Sequence, residues 1–113
     1  MFLIAIATLV VDEQHALSIV DPVKRAKALS RLITRYIDWG RTERASQLFE
    51  QMRSFAENLP DSDERDRSFA FVAVCFARLG NIEQAGRLLE TIPELSVREK
   101  SFRRLNIELI RLG

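Results

Sequence analysis

The stretch YIDWGRTERASQLFEQM, residues Tyr36–Met52, carries one glycine, Gly40, between two runs of apolar residues. Before the glycine, across residues 29–37, large apolar side chains recur every three or four positions, as on one face of an α-helix. The same spacing returns after it, across residues 45–49. Because glycine readily adopts the left-handed conformation that ends many helices, the stretch predicts two helices joined by a tight turn at Gly40.

The pattern around Gly40 recurs when the chain is aligned on Gly80 and Gly113. An arginine precedes each glycine at the same distance, and large apolar residues occupy equivalent positions between that arginine and the glycine. These positions are Leu29, Phe69 and Phe102; Leu32, Val72 and Leu105; Tyr36, Phe76 and Leu109; and Trp39, Leu79 and Leu112. The spacing between the glycines is uneven. The sequence therefore predicts a single domain, residues 1–113, of about three irregular repeats.

Each repeat is predicted to consist of two antiparallel helices. The predicted helices cover residues 3–20, 22–39, 42–58, 63–79, 82–91 and 96–112, and the first belongs to an apolar amino-terminal segment, residues 1–20. Asp21 is a good helix N-cap followed by a proline, while Asp61 and Ser96 each precede a glutamate at capping-box spacing. An acid also stands four residues before Arg25, Arg65 and Arg98, which favours ion pairs along the helices.

Composition limits the chemistry that the chain offers. Its 113 residues carry a net charge of +1 and include one cysteine and one histidine, so neither an intrachain disulfide nor a Cys/His metal site is expected. A single unpaired cysteine favours a reducing, cytoplasmic location. Cys75 lies in an apolar run that predicts burial, and His15 has no neighbouring nucleophile. Tyr36 and Trp39 are predicted to pack in the core. We expect no catalytic residues, metal or cofactor.

The stretch quoted above, together with CFARLGNIEQAGRLLETIP at residues 75–93, resembles the turn and second helix of tetratricopeptide and pentatricopeptide repeats. The resemblance covers roughly residues 12–113. It departs from the family pattern in lacking an early tryptophan in the first helix and in its uneven period. The resemblance implies an all-α fold, a right-handed superhelix of antiparallel helix-turn-helix repeats, whose first helices form a concave face. Such faces usually bind peptides or protein segments.

Residues of the first helices that are not needed for packing would line this face. The predicted groove residues are Lys27, Arg31, Arg67, Phe71, Arg78, Lys100, Arg104 and Arg111. Basic flanks around an apolar middle suit an acidic or amphipathic peptide, because arginine pairs with carboxylates in bidentate fashion. A solvated basic surface without a ligand is the simpler alternative. RNA binding is a further alternative, although Asp38 and Glu108 interrupt the basic stripe.

Both ends of the chain are apolar. Met1–Val11 carries no charge, yet it is too short to span a bilayer, for which a helix needs about 20 residues. We expect this segment to form a helix that is buried on most sides. The last predicted helix also carries several apolar residues with no partner after it. These two features predict self-association through the amino-terminal helix and the last helix, as a structural or regulatory alternative to peptide binding.

Overall fold

The chain is helical throughout a computed structural model that describes residues 2–112, and the side chains of residues 7–111. It forms α1 (Phe2–Leu17), α2 (Pro22–Asp38), α3 (Thr42–Glu57), α4 (Ser62–Arg78), α5 (Ile82–Glu90) and α6 (Leu95–Leu112). No strand occurs within this range. The prediction of an all-α chain with these six helices is confirmed, and the largest difference is that α1 ends at Leu17 rather than near residue 20.

The helices pack so that α4 lies at the centre of the molecule. It packs against α2, α3, α5 and α6, whereas the described part of α1 packs its backbone against α2 and reaches α3 through a side-chain ion pair. The buried face of α4 is correspondingly wide, because Val72, Ala73, Cys75 and Phe76 are all at most 5% exposed. Its Phe76 ring meets Phe49 of α3 edge to face, with the centroids 4.7 Å apart. The resulting slab measures 45 × 34 × 18 Å, about two helices thick.

Two turns, after α2 and after α4, have the same geometry. Gly40 and Gly80 adopt φ values of 75° and 90°, in the left-handed region that glycine tolerates best. The next backbone N–H reaches back in each case, from Arg41 to the carbonyl oxygen of Tyr36 at 2.8 Å and from Asn81 to that of Phe76 at 2.7 Å. These bonds satisfy carbonyl groups that the helix end leaves free. The predicted glycine turns at residues 40 and 80 are confirmed, while Gly113 lies outside the described residues.

Two of the three predicted helix caps are present. Asp21 accepts hydrogen bonds from the backbone N–H groups of Val23 and Lys24, at 3.0 and 2.9 Å. Asp61 accepts one from the N–H of Glu64 at 3.0 Å. The cap predicted at Ser96 is wrong, because α6 already begins at Leu95 and the Ser96 hydroxyl donates to the carboxylate of Glu94 instead.

The three predicted ion pairs between an acid and the arginine four residues later do not form among the described residues. Arg25 and Arg98 instead donate to the carbonyl oxygens of Ile19 and Ile92, each at 3.4 Å. The carboxylate nearest to Arg65 is that of the adjacent Asp66, at 3.9 Å. Arg25 and Arg98 therefore each tie the start of a helix to the segment before it, since the backbone carbonyl there offers a partially buried acceptor.

Two burial predictions are wrong, at Trp39 and along α1. Tyr36 is buried as predicted, but Trp39 is 41% exposed because it follows the last residue of α2 in the surface turn. Within the predicted buried segment Met1–Val11, residues 1–6 have side chains outside the described range; of the others, Leu9 is buried, whereas Val10 and Val11 are 45% and 64% exposed. The reason is that, among the described helices, only α2 packs closely along α1, while α3 reaches it through the side chain of Arg44.

A polar network attaches α1 to the rest of the chain. Glu13, 7% exposed, accepts a hydrogen bond from the Tyr36 hydroxyl at 3.0 Å and forms an ion pair with Arg44 of α3. Next to it, Asp12 pairs with Arg35 at 3.1 Å, at the surface. Burial raises the pKa of Tyr36, and the nearby Arg41 partly offsets this shift. The sequence reasoning missed this network, although the spacing of Leu9 and Glu13 places both on one helix face.

Candidate peptide-binding groove

A groove with a volume of about 340 Å³ lies between α4 and α6, with the first turn of α2 at one side. We call it the α4–α6 groove. Four of the eight predicted groove residues line it: Arg67, Phe71, Lys100 and Arg104. The remaining lining residues are Val23, Asp63, Ala70, Glu94, Ser96, Val97 and Ser101. It combines an apolar floor with charged walls.

Helical spacing and helix direction bring the four predicted residues together. Arg67 and Phe71 are four residues apart on α4, and Lys100 and Arg104 are four apart on α6, so each pair shares one helix face. Contacts between the helices run in the same order along both, Phe71 with Arg104 and then Arg78 with Glu108. Helices α4 and α6 therefore run in the same direction and present their two pairs side by side.

The middle of the α4–α6 groove is apolar. Ala70 is 7% exposed and forms its floor, with half-buried Phe71 and Val97 beside it. The guanidinium carbon of Arg104 lies 4.6 Å from the centroid of the Phe71 ring. Such a cation–π contact is electrostatically favourable and holds the charged group over the rim of the groove. The ring and the guanidinium group together give a ligand one apolar and one cationic surface.

The cations of the groove differ in whether a carboxylate neutralises them. Arg67 pairs with Asp63 at 3.2 Å, one turn earlier on α4. Lys100 and Arg104 are exposed and have no carboxylate within ion-pair distance among the described residues. The arginines of α3 and α5 are all engaged with glutamates, through the pairs Arg44–Glu13, Arg53–Glu57 and Arg87–Glu83. Among the cations that line the groove, those without an internal carboxylate partner in the described structure are therefore Lys100 and Arg104.

The opposite end of the groove is acidic. Asp63 and Glu94 line it, at the amino-terminal ends of α4 and α6. Asp66 lies close by and is 6% exposed, and burial raises its pKa. Arg65 lowers that pKa, while Asp63 and Glu94 raise it further. Sequence reasoning treated Glu94 as a partner of Arg98 and assigned no role to Asp63, and it therefore missed that both belong to the groove.

The other four predicted groove residues lie outside the α4–α6 groove. Lys27 and Arg31 are exposed on α2, and Arg111 is exposed near the end of α6. Arg78 was predicted as a free groove cation, but Glu108 lies against it, with Nε 3.1 Å from Oε1 and both side chains largely buried. The contact is an ion pair without hydrogen-bond geometry, since the Nε–H has no acceptor among the described residues. Arg78 therefore joins α4 to α6.

Groups with chemical reactivity lie elsewhere. Cys75 is fully buried in α4, and burial raises the pKa of its thiol to about 12, so the group stays protonated and shielded from reagents. His15 is exposed on α1. Within the described residues, no three His, Cys, Asp or Glu side chains are arranged to bind a metal ion. None of the helices there is both long and apolar enough to cross a bilayer.

Comparisons of the chain with protein-family models, with curated proteins and with solved structures find no match.

Proposed function

We propose that this chain is a non-catalytic binding module whose α4–α6 groove holds an acidic or amphipathic peptide segment of a partner protein. The observation that carries the proposal is the pair formed by Phe71 and Arg104, beside Lys100, in a groove with an apolar floor. Carboxylates of the ligand bind Lys100 and Arg104, which have no internal partner. An apolar side chain of the ligand packs on Ala70, Phe71 and Val97.

The proposal includes a tetratricopeptide-like fold, a right-handed superhelix of antiparallel helix-turn-helix repeats. It is supported by the recurrence of packing relationships, since α2 packs on α3 and α4 just as α4 packs on α5 and α6. The shared hydrogen bonds of the turns at Gly40 and Gly80 support it as well. In this arrangement α2, α4 and α6 form one face, on which Lys27 and Arg31 extend the basic surface. The module works in the cytoplasm, where Cys75 stays reduced.

The test compares two arginine substitutions on the same helix. Arg104→Glu and Arg103→Glu change the net charge equally, and both side chains are exposed, but Arg104 alone lines the groove. The probe is a fluorescein-labelled peptide of alternating glutamate–leucine pairs, titrated with the protein by fluorescence anisotropy. We expect Arg104→Glu to weaken binding at least about fivefold, by loss of attraction and by repulsion, and Arg103→Glu to change it less than about twofold.

Two results would contradict peptide binding in this groove. One is equal weakening by the two variants, which would indicate attraction to the overall charge alone. The other is absence of binding by the unaltered chain at protein concentrations of about 100 µM, a weak limit even for a transient peptide complex. A single-stranded RNA of mixed sequence serves as the competing ligand. Tighter binding of the RNA, with steep salt dependence, would support the RNA-binding alternative.

Self-association is a second candidate function, carried by exposed apolar side chains at both ends of the molecule. Ile110 of α6 is 78% exposed, whereas Ala77, the equivalent residue of α4, is 3% exposed. On α1, Val10 and Val11 are also exposed. A second copy would cover these faces, since burying them removes apolar surface from water. The residues of Met1–Val11 whose side chains lie outside the described range belong to the same predicted interface.

Light scattering coupled to size-exclusion chromatography tests this second candidate. A dimer mass that falls to the monomer mass in Val11→Glu or Ile110→Glu would support it. Gln14→Glu adds the same charge at an exposed polar position of α1 and is the control. A monomer mass for the unaltered chain at about 100 µM would contradict self-association, because stable interfaces of ordinary size bind more tightly than that.

A further inference from the structure

The two ends of the α4–α6 groove carry opposite charge. Along α6 the lining residues change from Glu94 through Val97 to Lys100 and Arg104. With a rise of about 1.5 Å per residue, Lys100 lies roughly 9 Å and Arg104 roughly 15 Å from Glu94 along the helix axis. On α4, which runs in the same direction, Asp63 lies beside the acidic end and Phe71 beside Arg104. The charge order is therefore carried by the α6 wall, whereas on α4 the cation Arg67 pairs with Asp63 near the acidic end.

The charged side chains of the groove differ in whether they already have a partner within the protein. At the acidic end, Arg67 already pairs with Asp63, whereas Glu94 accepts a single hydrogen bond from the Ser96 hydroxyl at 2.8 Å. At the basic end, Lys100 and Arg104 lack carboxylate partners among the described residues. At the acidic end, Glu94 is thus the carboxylate that is available to a cation of the ligand. The buried Asp66 nearby adds negative potential when Asp66 is ionised.

We infer that the α4–α6 groove selects its ligand by charge order: an acidic residue against Lys100 and Arg104, an apolar residue over Phe71 and Val97, and a basic residue against Glu94. The inference rests on the proposed peptide binding and adds the orientation of the ligand to it. Opposite charges over such a distance act almost independently, because it exceeds the Debye length of about 8 Å in physiological salt. The same ligand bound in the opposite direction would meet like charge at both ends.

Two peptides of equal length separate charge order from acidity. One has a glutamate pair, a leucine pair and a lysine pair, and the other has glutamates in place of the lysines. We expect the mixed-charge peptide to bind about two- to fivefold more tightly than the acidic one, the effect of one exposed ion pair. Glu94→Gln, which keeps the hydrogen-bond acceptor for Ser96, should remove this preference. Glu99→Gln, an exposed residue of α6 outside the groove, is the matched control and should preserve it.

Orientation is read from a nitroxide attached to the glutamate end of the mixed-charge peptide. The backbone amide resonances of Phe71 and Arg104 should broaden more than those of Ser96 and Val97, because paramagnetic broadening falls steeply with distance. Equal affinity of the two peptides, or broadening centred on Ser96, would overturn the inference and leave peptide binding intact. Absence of binding by both peptides would overturn the proposed function along with it.

Discussion

The guanidinium group of Arg104 on α6 covers the ring of Phe71 on α4, with its central carbon 4.6 Å from the ring centroid. The two residues are far apart in sequence, and the parallel course of α4 and α6 brings them together. Neither has another charged partner at ion-pair distance in the described structure. The pair therefore combines an apolar surface with a cation that is available to a ligand, which is the basis of the proposed peptide groove.

Replacing Phe71 by alanine should weaken binding of the glutamate–leucine peptide by roughly three- to tenfold. The substitution removes the apolar surface for the ligand and the contact that positions Arg104, worth about 0.5–1 kcal/mol at an exposed site. Phe55→Ala on α3 is the matched control, because Arg25 covers that ring in the same way at 4.8 Å, outside the groove. Anisotropy titrations measure the effect, and an equal loss in both variants would contradict it.

Replacing Glu13 by alanine should lower the free energy of unfolding by about 2 kcal/mol. The change removes the acceptor of the Tyr36 hydroxyl and the carboxylate partner of Arg44. Breaking a buried ion pair usually costs more than this, but Arg44 is 39% exposed and still donates to Gln47 at 2.9 Å. Asp12→Asn breaks the neighbouring surface pair with Arg35 and should cost less than about 1 kcal/mol. Urea unfolding compares the two. Similar losses of unfolding free energy in the two variants would contradict the expectation that the buried Glu13 stabilises the chain more than the exposed Asp12.

The three described glycines should respond to alanine with opposite signs. Gly40→Ala and Gly80→Ala should each destabilise the chain by about 1 kcal/mol or more, because both residues have positive φ values. No atom lies within 4 Å of the added Cβ at either site, so the cost is that of the backbone alone. Gly86→Ala, in the middle of α5 and equally free of contacts, should stabilise the chain by up to about 1 kcal/mol. Thermal unfolding measures all three, and destabilisation by Gly86→Ala would contradict this account.

Replacing Asp66 by asparagine should stabilise the chain at pH 7. Burial raises the pKa of Asp66 above its ordinary value of 3.8, so the protonated group fits the folded state better than the ionised one. Protonated Asp66 therefore contributes favourably to the free energy of unfolding. This contribution is complete below pH 3.8 and is lost as the pH rises through the pKa of Asp66 in the folded state. The advantage of the asparagine variant should therefore shrink as the pH falls toward about 3. Urea unfolding at both pH values tests the sign, and a less stable variant at pH 7 would contradict it.

Four of the eleven residues that line the α4–α6 groove could be predicted from the sequence. Arg67 and Lys100 occupy equivalent positions relative to Gly80 and Gly113, and the same is true of Phe71 and Arg104, so counting back from each glycine selected all four. The same count also selected Arg78 as a free cation of the groove, although Arg78 pairs with Glu108. Whether an arginine is free depends on the residue opposite, here Glu108, and that contact is set by how α6 is rotated against α4.

The acidic end of the groove could not be predicted from the sequence, for a related reason. An acid placed four residues before an arginine predicts a local ion pair, yet Arg98 donates to the carbonyl oxygen of Ile92 and leaves Glu94 facing the groove. Local spacing indicates which contacts are within reach, whereas competition with backbone acceptors decides which of them form. The capping box predicted at Ser96 is absent for another reason, because α6 already begins at Leu95 and the Ser96 hydroxyl donates to the carboxylate of Glu94.

The sequence by itself determined the helical content, the turns at Gly40 and Gly80, and the apolar face of each central helix. These features follow from side-chain periodicity and from the conformational freedom of glycine, both of which act within a few residues. Tertiary structure alone decided the burial of Glu13, the exposure of Trp39 and the contact of Phe71 with Arg104. Each of these depends on which helix lies opposite, because burial and ion pairing are properties of surfaces that the chain brings together only when it is folded.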